Sequence, residues 1–98
     1  MNPVIKILVL TSKEILVSEI EEVGGEIGEP DCQLINPVVL QTTDDKLTIQ
    51  EGKVVLTRWL QSFTKDTTFM ISSDKIITLA EPGSNIINKY KDLVTKKQ

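Results

Sequence analysis

Between Val4 and Ala80 the apolar residues fall in short, β-branched runs cut apart by Gly, Pro, Ser and Asp, and none carries helical spacing. A chain with no helix between its strands has no crossover to join parallel neighbours, so its sheet is expected to be antiparallel. Val4 to Leu10 is an almost continuous Val- and Ile-rich run, the pattern of a strand covered on both faces. Ile15 to Val23 follows after a turn at Lys13-Glu14, with Ile15 and Val17 on one face and Leu16 and Ile20 on the other. Gly24-Gly25 stops it. Gly24 to Asp31 holds three Gly and one Pro and reads as an acidic loop.

Gln33 to Thr42 reads as a third strand, and it must carry a bulge or an edge at Pro37, which has no N–H to give to a ladder. Thr42 to Gly52 reads as a polar connection, with Leu47 and Ile49 its only apolar members. Val54 to Leu60 alternates clearly, sending Val54, Leu56 and Leu60 one way and Val55, Thr57 and Trp59 the other. Arg58 falls on the Leu56 face, where it needs a carboxylate or a phosphate if buried, or snorkels if that face lies at a rim. After Ser62 to Thr67, short strands at Phe69 to Ile71 and Ile76 to Ala80 flank the turn Ser72-Ser73-Asp74-Lys75.

Helical spacing begins only past Pro82-Gly83. Ser84 is a candidate N-cap, and Ile86, Ile87, Tyr90, Leu93 and Val94 form one apolar stripe, with Lys96 and Lys97 at the negative end of the dipole. So short a helix must dock one face on the sheet to persist. The expected fold is therefore mainly β: one domain over residues 1–98, a small five-stranded antiparallel barrel of the SH3 or OB size over about 4–80, and a C-terminal helix over about 84–95.

The side-chain inventory narrows the chemistry. With no His and a single Cys, Cys32, the chain has neither a Ser-His or Cys-His pair nor a nitrogen-and-sulfur metal site. No enzyme activity, cofactor or metal is expected. A lone Cys also suits a reducing compartment, and no apolar run approaches the roughly 20 residues that span a bilayer, so the chain reads as cytoplasmic and free of membrane. Every charged residue from Glu14 to Asp31 is an acid, whereas the second half of the chain tips basic. That asymmetry gives either a basic face for nucleic acid or ordinary solvated surface.

The run Phe69-Met70-Ile71-Ser72-Ser73-Asp74-Lys75-Ile76-Ile77-Thr78-Leu79 resembles the second Sm motif of Sm and LSm proteins, in which a strand enters a tight turn and leaves on a short strand. Leu8-Val9-Leu10, Ser12-Lys13-Glu14 and Ile15-Leu16-Val17-Ser18-Glu19-Ile20 are similar to that family's opening hairpin. The chain also resembles the short Sm-like proteins of marine bacteriophages (cyanophages), which carry an Asn-Pro strand and a Trp-bearing strand before a terminal helix. The likeness spans residues 4 to 80 in pattern. It implies an Sm-like barrel in a homo-oligomeric ring that processes RNA or DNA, in the host cytoplasm if the chain is phage-encoded.

By that resemblance the turn Ser72, Ser73, Asp74 and Lys75 lines a central pore, with Ser72-Ser73 standing where the family carries Arg-Gly. The same residues also make an ordinary turn in which Ser and Asp bond nearby backbone. Asn36 either reads a base edge or shapes the strand before Pro37. Trp59 and Phe63 either stack single-stranded bases, with Arg58 and Lys65 on phosphates, or pack in the core or at a subunit interface. Glu19, Glu21, Glu22, Glu26 and Glu29 supply oxygen ligands for a hard cation or simply solvated charge. For assembly, the edges Phe69, Met70, Ile71 and Ile76, Ile77, Thr78, Leu79 lack the Pro and dense Lys that protect an exposed strand. The edge at Ile76 to Ala80 is expected to meet a neighbour's Phe69 to Ile71 or Val54 to Leu60, as Sm subunits do. An adaptor that uses the barrel to bind protein, with its acidic segment attracting a basic partner, is the reading from a different class.

Overall fold

The computed structural model describes residues 4–42 and 54–95; the connection holding Leu47 and Ile49, and the terminal Lys96 and Lys97, lie outside them. Strands β1 (Val4–Leu10), β2 (Ile15–Glu22), β3 (Cys32–Thr42), β4 (Val54–Arg58), β5 (Thr68–Ile71) and β6 (Ile76–Ala80) precede one helix, α1 (Ser84–Thr95). All pairings among them are antiparallel. The path runs β4-β3-β2-β1-β6, with β5 also on β3. There are thus six strands rather than five, because β3 is long enough to seat two partners on one side. Its first half takes β5 and its second half takes β4.

The break between those halves is chemical. Pro37 has no N–H for the ladder, and the β2–β3 register slips between Val17 and Glu19 as the sequence required. Asn36 absorbs the slip at φ 53, a left-handed conformation that Asn tolerates better than most residues. β2 ends at Glu22, one residue short of the expected Val23, and the chain turns away at Gly24 with φ 69. β5 and β6 do not pair with each other. The three-residue 3₁₀ turn Ser73–Lys75 links them although they sit at opposite ends of the sheet, so the sheet curls but stays open among the described residues.

Both faces of that curled sheet are covered. Inside lie Leu8, Leu10, Leu16, Ile20, Cys32 and Leu34, with Trp59, Ile71 and Ile76 packed against them. On the other face Val17 and Val38 meet Tyr90 of α1, flanked by Leu40, Leu56, Ile86 and Leu93. This double cover explains why Leu16, Val17 and Ser18 are all buried in succession on β2. Each large aliphatic side chain so buried contributes roughly 1.5–3 kcal/mol. The helix docks along the stripe read from sequence, and no described helix is long and apolar enough to cross a membrane.

Candidate nucleic-acid interface

The bulge in β3 positions the most concentrated group of candidate residues. Asn36 donates its N–H to Thr67 O at 2.7 Å, and Trp59 donates its N–H to Pro37 O at 3.0 Å. These two bonds pin both ends of the β4–β5 connection across the bulge. Between them Leu60, at φ 61, reverses the chain, and its carbonyl accepts the N–H groups of Phe63 and Thr64 at 2.9 and 3.1 Å. Strand β4 therefore ends at Arg58, so the alternation read over Val54 to Leu60 stops short of Leu60, which is exposed. The folded connection borders an open cavity of about 470 Å³ lined by Asn36, Arg58, Trp59, Gln61, Lys65 and Phe69, among others.

Trp59 separates this cavity from a shallower groove of about 250 Å³ that reaches Glu14, Val39, Leu60 and Phe63. Its indole is fixed on two sides. Nε1–H donates to Glu14 Oε2 at 3.2 Å, and the ring meets Phe69 edge-on, centroids 5.4 Å apart at 69°. Trp59 thus packs against the core while still walling both depressions. Phe63 does not fill the core: it is 85% exposed at the tip of the turn. The Arg58 guanidinium finds a partner that sequence reasoning did not weigh. Nη2 donates to Leu93 O, near the C-terminal end of α1, at 3.1 Å. A carbonyl satisfies a donor without neutralising the charge, so the guanidinium charge is held at the end of α1, while Arg58 also lines the cavity.

The turn Ser72, Ser73, Asp74 and Lys75 lies apart from this group. Asp31 accepts the Ser73 N–H at 2.7 Å and the Ser73 hydroxyl at 2.8 Å. Those two bonds hold the Asp31 carboxyl below the ordinary carboxylate range. A cavity of about 500 Å³ joins the turn to Glu26, Glu29 and Asp31. Here Ser73 is committed to a carboxylate, and the side chains around Lys75 are mostly acidic. Asp31 of the acidic segment accordingly ties the turn down, a use the sequence reading did not include. Among the described residues no three Cys, Asp or Glu side chains converge as metal ligands.

The candidate interface residues also divide. Phe69 meets Trp59 edge-on, and Ile71 and Ile76 pack on the core. Met70, Ile77 and Leu79 are 51%, 63% and 48% exposed, and Thr78 is exposed with them. A cavity of about 520 Å³ runs beneath this edge, walled by Val4, Ile20, Cys32, Ile76, Ile77 and Leu79. Cys32 is buried there, and desolvation pushes its thiol pKa up, which keeps it protonated and unreactive.

The structure therefore brings Asn36, Arg58, Trp59 and Lys65 around one cavity and leaves Ser72 to Lys75 at another. Gln61, Thr64, Asp66 and Thr67 complete the first lining and were not foreseen, because their approach depends on the left-handed turn at Leu60. A model of a family of unknown function, DUF6561, matches residues 3–95. No curated protein matches the chain.

Proposed function

We propose that this chain, which belongs to that family of unknown function, is a non-enzymatic domain that binds single-stranded RNA or DNA and works as a homo-oligomeric ring. The observation that carries the reading is the convergence of Asn36, Arg58, Trp59 and Lys65 on one cavity, with the exposed Phe63 on the adjoining groove. Aromatic walls beside cations are what a single strand needs: faces for its bases and charges for its phosphates. The strand order supports an Sm-like barrel, since a short 3₁₀ turn joins two strands held at opposite ends of a curled sheet. The outer edges of β5 and β6, unpaired among the described residues, support assembly, with β6 of one subunit pairing with β5 of the next. A ring would repeat each weak phosphate contact and give an acidic protein useful avidity.

Fluorescence anisotropy with labelled A-rich and U-rich single strands tests the reading. Binding is expected at low salt and should weaken as salt rises. Lys65→Ala should weaken both strands several-fold and flatten the salt dependence by about 0.7 in log–log slope, the share of one phosphate contact on a single strand. No binding to either strand at low salt would overturn the reading. Recovery of a protein partner that resists nuclease would then favour the adaptor function, with the acidic cavity beside Ser72 to Lys75 as its docking surface.

A further inference from the structure

Asp66 is out of place in a site for phosphate. Asp66 lines the same cavity as Arg58 and Lys65. The backbone around it is fixed, because its N–H bonds Thr64 Oγ1 at 3.1 Å and the next carbonyl, Thr67 O, holds Asn36. Among the described residues no cation pairs with it. A carboxylate accepts hydrogen bonds and repels phosphate, so a group entering beside it must present donors. On a nucleic-acid strand the bases carry such donors, and the ribose 2′-hydroxyl, common to every nucleotide of an RNA strand, cannot tell one base from another.

Resting on the function proposed above, we infer that this cavity selects bases bearing an exocyclic amino group, adenine foremost, and discriminates against uracil. An amino group has two N–H bonds, one for Asp66 and one for an amide oxygen of Asn36 or Gln61. The neighbouring ring nitrogen accepts from the same amide, the bidentate pattern by which Asn and Gln read adenine. Uracil offers one N–H and two carbonyl oxygens, and a carbonyl facing Asp66 finds no proton there. Lys65, adjacent in sequence, is left to the phosphate. The indole of Trp59, fixed by Glu14 and Phe69, gives the larger purine more surface to lie against.

Titrations of labelled oligoadenylate, oligocytidylate and oligouridylate of equal length, at one salt concentration, test this. The adenine strand should bind roughly tenfold tighter than the uracil strand, with cytosine close to adenine. Asp66→Asn, at an exposed position, replaces a pure acceptor with a group that also donates. It should raise affinity for the uracil strand most and bring all three within about twofold, and Gln61→Ala should narrow the gap in part. Equal binding of the three strands by the unaltered protein overturns the inference while leaving the function standing. So does an Asp66→Asn protein that keeps the full preference, or a cytosine strand as weak as uracil. Absence of binding to every strand overturns both.

Discussion

Tyr90→Ala is expected to cost about 3–5 kcal/mol, the loss typical of a large buried aromatic side chain, and so to consume much of the stability of a domain this size. Tyr90 is 1% exposed and does more than fill space. Where the bulge breaks the β2–β3 ladder, its hydroxyl donates to Ile35 O at 3.1 Å and accepts the Glu19 N–H at 3.2 Å. The helix thus bridges Glu19 and Ile35, register partners on β2 and β3, at the point where the ladder slips. Ser18 assists, its Oγ lying 3.1 Å from the same Ile35 carbonyl. Tyr90→Phe keeps the ring and deletes the bridge, so it should lose about 1–3 kcal/mol. In a thermal melt that is a fall of roughly 5–20 °C.

The same burial gives the melt a signature in pH. It pushes the Tyr90 hydroxyl from 10.0 up to about 12. The unfolded chain therefore releases this proton first. The stabilisation is complete below about pH 10 and is lost as pH rises through 12. Tyr90 is the only tyrosine, so tyrosinate absorbance reports its ionisation directly. Tyr90→Phe should melt less steeply with pH above 10. A Tyr90→Phe protein as stable as the parent at neutral pH would show that the bulge needs no bridge.

The second large effect is on mass. Light scattering at tens of micromolar should report several copies of the 10.9 kDa chain. Ile77→Pro should return a monomer. Ile77 falls between Ile76, paired with Leu10, and Thr78, paired with Val9, so it has no partner residue on β1. A proline there should therefore spare the β1–β6 ladder while denying the outer edge an N–H. Leu79→Lys places a charge on that edge and serves as a second, independent disruption. A monomeric parent protein would refute the ring, as would a Leu79→Lys protein that keeps the full mass.

What could be read from the residues depended on how local the cause was. The apolar runs of β1 to β3 and the stripe of α1 declare themselves because burial imposes period on sequence. The bulge at Pro37 was legible because a missing N–H is a property of one residue. The left-handed turn at Leu60 was not, since Leu carries no signal for it and neighbouring bonds impose it. Nor was the capture of Ser73 by Asp31, or of Arg58 by Leu93 O, because those partners meet only once the sheet curls. So Asn36, Arg58, Trp59 and Lys65 were chosen singly by their chemistry, and the fold supplied the reason to group them. The chemistry of Ser72 to Lys75 gave no warning of the acidic loop beside them.

Trp59 is the only tryptophan in the chain and walls the proposed binding cavity, so its emission is a built-in probe of that surface. Titration with an unlabelled single-stranded oligonucleotide at low salt should produce a saturable fall in tryptophan emission, reversed by added salt. Emission that stays constant up to concentrations at which labelled strands show full anisotropy would place the nucleic acid elsewhere and contradict the account. Constant emission with no anisotropy change at all would remove nucleic acid from it.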